Sequence, residues 1–292
     1  MSVSINTNDG SQYQKPTVAA TAGAVVAGST LQGAIVSAND LFSSPLINKM
    51  RDLNKGTDKV EISNALKNAI EKGGIKDKVE LINLTAEKNF KSIGEFYKDF
   101  FKRIKSGKVT MFDFIDLQSD MIKEGFNAGF SPINNKILVN TEKMGLAGFH
   151  EIGHAINFNN SKFWKAMQKY RLAALPLTGL LTLTALLKRK KVEGEEPKGF
   201  FDKATTFIKE NVGKLTFLTL VPMVAEELKA TARGNKLAKE LLNPDLYKKV
   251  VKSNRFGAAS YIGIALLMPL SAYLANKLKD HLAKPKPIEK ES

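Results

Sequence analysis

The chain has 292 residues, enough for a sizeable core, and carries 44 Lys and Arg against 29 Asp and Glu, a formal net charge of +15. It has no cysteine, which excludes disulfides and thiolate metal ligands. The positive balance favours anionic partners. No nucleic-acid motif accompanies it, and basic residues flank apolar segments, as in Lys188-Arg189-Lys190-Lys191. Membrane lipid is therefore an expected partner and nucleic acid is not.

Residues 1–16 are polar and expected to be disordered. Residues 17–38 form a first candidate transmembrane helix, long enough to span but rich in Ala, Gly, Ser and Thr. Val36-Ser37-Ala38 has the look of a small-residue cleavage site. Only Lys15 is positive in the long polar stretch before it, so an uncleaved span is preferred to a signal peptide.

Residues 39–171 are expected to form a helical region leading into a catalytic region. Ile62, Leu66, Ala69 and Ile70 make one apolar stripe, and Phe90, Ile93, Phe96, Tyr97, Phe100 and Phe101 an aromatic one, read as core in preference to a substrate groove. Lys72-Gly73-Gly74-Ile75 breaks two helices. Residues 126–140 read as a short hairpin with Asn134-Asn135 near its turn. Its second strand holds Ile137, Leu138 and Val139, and either aligns an extended substrate by strand addition or simply covers the core.

A helix follows, with Thr141 as the expected N-cap, Glu142 in its first turn and Asn159-Asn160 as its stop; Ser161 caps the next helix. It carries His150-Glu151-Ile152-Gly153-His154, which uses two of the three histidines in the chain. Positions i and i+4 share a helix face, so both imidazoles can reach one metal ion. Glu151 lies between them and can take a proton from the attacking water without ligating the ion. Gly148 and Gly153 cost about 1 kcal/mol each in a helix interior and imply close packing against a helix or the metal site.

Residues 172–187 and 212–225 form a candidate transmembrane hairpin around a polar turn-rich loop that includes Gly194-Glu195-Glu196-Pro197-Lys198-Gly199. The hairpin would return the chain to the histidines. Residues 226–255 hold the acids Glu226 and Glu227 and a basic stretch, residues 256–275 are a further candidate transmembrane helix, and residues 276–292 a basic tail. The alternative to spanning is a soluble bundle that buries these helices. His281, in the lysine-rich tail, is a poor third ligand. An acid emerging from an apolar helix is costly unless paired or metal-bound, so Ala225-Glu226-Glu227-Leu228-Lys229-Ala230-Thr231 is the better source. The fold class expected is mainly α with a small β-hairpin or sheet and about four apolar, membrane-spanning helices.

Asn127-Ala128, the Ile137-Leu138-Val139 strand, His150-Glu151-Ile152-Gly153-His154-Ala155 and Glu227-Leu228-Lys229-Ala230-Thr231 occur in that order. Over about residues 120–235 the chain resembles the membrane-embedded gluzincin metallopeptidases, of the heat-shock membrane protease and CAAX-prenyl-protease type, and the related neutral zinc metallopeptidases. The resemblance implies a zincin-like catalytic core holding Zn2+ through His150, His154 and Glu227, with Glu226 as the fallback if the register is off by one. It implies Glu151 as general base, a peptide or protein substrate that includes membrane proteins, and a multi-pass protein with a cytoplasmic catalytic face. The family often places Asp where this chain has Thr231, which makes a hydroxyl the outer partner of a zinc-bound histidine. Arg233 is either an oxyanion stabiliser or a surface charge. That departure at Thr231 motivates the alternative function, a non-catalytic membrane-anchored zinc-binding scaffold.

Overall fold

The structure is a computed structural model and describes residues 13–14, 16–106, 111–191, 195–284 and 286–287. Most of residues 1–16, Gly194 of the polar loop and the end of the tail therefore lie outside the described residues. In chain order the elements are β1 (Tyr13–Gln14), α1 (Val18–Asn54), α2 (Lys59–Lys72), β2 (Glu80–Asn83), α3 (Ile93–Lys105), α4 (Met111–Lys123), β3 (Gly129–Ser131) and β4 (Lys136–Val139). They continue with α5 (Thr141–Met144), a 3-10 turn (Gly145–Ala147), α6 (Gly148–Asn160), α7 (Lys162–Leu187), α8 (Gly199–Leu241), α9 (Pro244–Leu282) and β5 (Lys286–Pro287). The chain divides into two compact units. One comprises Met1–Ala38, Ala173–Leu220 and Ala265–Ser292, the other Asn39–Leu172 and Val221–Ile264.

The second unit has a conventional apolar core. In α2 the spacing of Ile62, Leu66, Ala69 and Ile70 puts all four on one face, and all four are buried. They pack with Phe149, Ile152 and Ala155 of α6 and with Ile137 and Val139 of β4. Asp58 starts α2 by accepting from the Val60 amide at 2.7 Å. The aromatic stripe is core, as expected. Ile93 and Phe96 pack with Met121 and Phe126, and the Phe96 ring lies 5.6 Å from those of both Phe90 and Phe126. Phe101 alone turns outward, 62% exposed.

The hairpin forms, with Asn135 at a positive φ of 53° in its turn. Its position in the sheet differs from expectation. The strand order is β2-β4-β3, so β4 is central, parallel to β2 and antiparallel to β3. Strand addition needs an open edge. Ile137, Leu138 and Val139 therefore do not align a substrate, because neighbouring strands occupy both sides of their backbone.

The helical lead into the histidines also differs. Asn140, not Thr141, is the cap: its Oδ1 accepts from the Lys143 amide at 3.0 Å while its Nδ2 donates to the Lys123 carbonyl at 2.7 Å. After one turn, α5 gives way to the 3-10 turn before α6 begins at Gly148. The stop at Asn160 is as expected, with Ser161 extended (φ −148°) and its Oγ accepting from Trp164 N.

In the first unit small apolar residues share the buried positions with polar ones. Its buried positions include Thr178, Thr182, Thr206, Lys209, Thr216, Thr219, Ser271, Asn276 and Lys279, with Ala185, Val212 and Ala272 as an apolar contact. Leu175, Leu180, Leu183, Phe207, Leu218 and Leu270 point outward. Thr178, Thr182 and Thr219 satisfy their hydroxyls locally, as Thr182 Oγ1 does by donating to the Thr178 carbonyl at 2.9 Å. In water this arrangement leaves the hydrophobic effect unused. In lipid, where small and polar residues form helix contacts and leucines face the chains, it is the stable one.

Among the described residues three helices are long and apolar enough to cross a membrane: Val18–Ile35 within α1, Lys162–Leu187 and Pro244–Leu282, with only 11%, 28% and 33% of their apolar stretches buried. Length, composition and outward leucines together indicate membrane association. The expected fourth span, residues 212–225, is not among these helices. It follows a kink in α8 at Asn211 (φ −115°, ψ 16°), and Lys209, Glu210, Lys214 and Glu226 crowd its apolar run. Helix α1 continues through Val36-Ser37-Ala38 to Asn54.

Candidate metal centre

The site lies in the second unit, where α6 meets α8. The two helices approach until backbone touches backbone. A methyl on Gly153 would lie 2.1 Å from the Ala230 carbonyl oxygen, and one on Gly234 would lie 2.3 Å from that of Phe149. Glycine at these two positions lets side chains one turn away on each helix meet.

Three donor atoms converge there. His150 Nε2 lies 2.9 Å from His154 Nε2 and 3.1 Å from Glu227 Oε2, which is 3.4 Å from His154 Nε2. All three residues are buried, Glu227 to 1% exposure. Among the described residues this is the group of histidines and acids that could hold a metal ion, and His281 is not in it.

Each ring uses its other nitrogen outward. His150 Nδ1 is 3.1 Å from Thr231 Oγ1, and His154 Nδ1 is 3.0 Å from Glu226 Oε1. A proton on Nδ1 of each ring would donate to these partners and free Nε2 for a metal ion. The adjacent acids Glu226 and Glu227 thus grip His154 from opposite sides of its ring. Glu226 stands outside the donor triangle and supports His154 from behind; it is not a substitute for Glu227. Thr231 sits against His150, where its hydroxyl can accept.

The acids are held in turn. Glu226 Oε1 accepts from Asn157 Nδ2 at 2.9 Å and from Gln168 Nε2 at 2.7 Å, while Gln168 Nε2 also reaches the His154 carbonyl at 2.8 Å. Arg171 Nη1 lies 2.5 Å from Glu227 Oε1, leaving Oε2 for the histidines. Arg171 is steadied by Tyr261, whose hydroxyl is 3.3 Å from Nη2 and whose ring lies 5.2 Å from the guanidinium carbon. Asn157, Gln168, Arg171 and Tyr261 were not anticipated. Only Arg171 carried a signal, as a charge abutting the apolar run that starts at Leu172.

The electrostatics favour positive charge in the cluster. Burial by itself would lower the His154 pKa, but Glu227 and Glu226 outweigh it and push it up to about 10. Burial would raise both glutamates. Instead His154, with Asn157 and Gln168, holds Glu226 below the usual carboxylate range, and His154, His150 and Arg171 hold Glu227 well below it. His154 in its protonated form and Arg171 balance the two buried carboxylates, and a metal cation would take the place of that proton.

Glu151 is buried on α6, 7% exposed, and makes no side-chain hydrogen bond or ion pair among the described residues. Arg233 is half-buried and its Nη1 is sheltered without a hydrogen bond among the described residues.

Comparison of the chain with protein-family models, with curated proteins and with solved structures gave no match.

Proposed function

We propose that this chain is a membrane-associated zinc endopeptidase of the gluzincin type. The observation that carries this reading is the triangle of buried donors, with edges of 2.9, 3.1 and 3.4 Å. Ligands about 2.0–2.1 Å from a tetrahedral ion stand about 3.3–3.4 Å apart, so His150 Nε2, His154 Nε2 and Glu227 Oε2 need shift by only about half an ångström or less to hold zinc. Two nitrogens and one oxygen are a zinc donor set, and three protein ligands are the number found in catalytic sites, whereas structural sites have four. The outer partners Thr231 and Glu226 orient the two rings.

Bound zinc supplies a Lewis acid that acidifies water and polarises a carbonyl. The residues do the rest. Arg171 holds one oxygen of Glu227 and so presents the other. Glu151, without a hydrogen bond or ion pair among the described residues, takes the proton from water as it adds to the peptide carbon, and returns it to the amine as the C–N bond breaks. Burial of the cluster excludes bulk water. Both outer strands, β2 and β3, have an open edge among the described residues, and β3 is the one that packs against α6. An extended substrate would pair there, along Gly129, Phe130 and Ser131. The protein would be multi-pass with a cytoplasmic site, and membrane proteins would be among its substrates.

Glu151→Gln tests this reading. Zinc content should stay at one per chain, while peptide hydrolysis should fall by about 10²–10⁴-fold. Retained hydrolysis would remove Glu151 as the base. Zinc bound by the unaltered chain with no turnover of a peptide library would favour the scaffold reading that Thr231 motivates.

A further inference from the structure

Three apolar runs of the first unit end at one basic cavity. Arg189, Lys190 and Lys191 follow the run that closes α7 at Leu187, Lys209 precedes the run in α8, and Lys277 follows the run in α9. With Glu210 and Asp280 these five cations line a cavity of about 290 Å³. The flanking ion pairs do not remove the surplus. Lys188 pairs with Asp202 and Arg189 with Glu195, while Asp280 Oδ1 serves both Lys209, at 2.6 Å, and Lys279, at 3.2 Å. Counting all of these groups, cations still outnumber carboxylates by three.

The cavity is built, not a chance cluster of surface chains. Lys209 is buried and fixed by Asn276 Oδ1 at 2.9 Å, and Asn276 Nδ2 donates back to the Lys209 carbonyl at 3.1 Å. Lys279, 1% exposed, donates to the Lys188 carbonyl just past the end of α7. Lys191 Nζ is sheltered, 3.7 Å from Asp202 Oδ2, and makes no hydrogen bond among the described residues. Lys277 lies over the Tyr273 ring at 5.4 Å, and Leu187, Phe207 and Tyr273 beside these cations face outward, 62%, 57% and 46% exposed.

We propose that this cavity binds the phosphate ester of an anionic phospholipid headgroup. A surplus of Lys and Arg with a spare donor suits phosphate oxygens. The size is at the small end of ligand pockets, right for a headgroup. Apolar side chains beside the cavity would meet the acyl chains, and basic pockets between membrane helices are sites of this kind. The proposal is independent of the metal centre and of any peptidase activity.

The test uses the full chain in neutral detergent and native mass spectrometry, with phosphatidylglycerol, phosphatidylcholine and water-soluble glycerol phosphate as probes. Lys190→Gln with Lys277→Gln removes two exposed cations from the cavity wall without touching the buried Lys209 network. Lys59→Gln with Lys67→Gln removes equal charge from the exposed face of α2. The unaltered chain should bind phosphatidylglycerol at least tenfold more tightly than phosphatidylcholine. The cavity variant should lose about 30-fold, from two lysines near the headgroup, and the α2 variant should lose nothing. Failure of glycerol phosphate to compete supports a lipid source. Equal binding of glycerol phosphate overturns the lipid and leaves a soluble phosphate ester. No preference for phosphatidylglycerol, or equal losses in both variants, overturns the site.

Discussion

Gly153→Ala is the sharpest single probe of the metal centre. The added methyl would stand 2.1 Å from the Ala230 carbonyl oxygen and 2.7 Å from its carbon. Carbon and oxygen in contact sit about 3.3 Å apart, so α6 and α8 must part by about 1.2 Å. Overpacking costs about 1–3 kcal/mol, and both walls here are backbone, which places the cost at the upper end. Alanine returns about 1 kcal/mol through helix propensity. The net loss of stability is about 2 kcal/mol. The effect on metal is larger, since ligand distances tolerate about 0.2 Å and the separation moves His150 and His154 away from Glu227. A loss of about 100-fold in zinc affinity is expected. Thermal unfolding with and without zinc reads both effects. At a zinc concentration 100 times its dissociation constant the unaltered chain gains about 2.7 kcal/mol; the variant, at the same concentration, gains about 0.4 kcal/mol. Gly23→Ala, with nothing within 4 Å of the new methyl, is the helical control and should show the full zinc response. If Gly153→Ala keeps the full zinc-dependent shift, the helix crossing does not set the donor geometry.

Glu226→Gln and Thr231→Val each remove an outer partner of a histidine and should weaken zinc by about 10–100-fold, measured by chelator competition, while Glu227→Ala should abolish stoichiometric binding. Equal effects of Glu226→Gln and Glu227→Ala would contradict the distinction between ligand and support. Leu66 is fully buried against α6; Leu66→Ala should cost about 2–5 kcal/mol in denaturant unfolding, and a change below about 1 kcal/mol would show that this core does not support the histidine helix.

What the sequence revealed was set by how local each signal was. His150 and His154 are one turn apart, so their shared face follows from helix geometry alone. The stripe in α2 was legible for the same reason. The pair Glu226-Glu227 was visible as acids leaving an apolar run, but their division of labour was not: consecutive residues differ by about 100° around a helix, and only the crossing with α6 shows which faces the imidazoles. Gln168 and Arg171 act from a third helix, through contacts without sequence periodicity. The central place of β4 was hidden because β2 is four residues long and its strand partner is distant. Thr141 and Asn140 are both good caps on composition; Asn140 prevails because its amide also reaches the Lys123 carbonyl. In the first unit the apolar helices were legible from length and composition, but not which way their leucines and threonines face.

The parallel pairing of β2 with β4 has a consequence for the order of assembly. Glu80 pairs with Lys136, about 56 positions later in the chain, so β2 joins the hairpin of β3 and β4 only after a long loop has closed. The loop-closure entropy is lost before any contact offsets it. His150 and His154 can sit on a helix early, yet the sheet under that helix is completed late, by a strand that contains no residue of the site. A fragment starting after Asn83 would hold every donor in its sequence and lack the strand that flanks β4, against which the histidine helix packs.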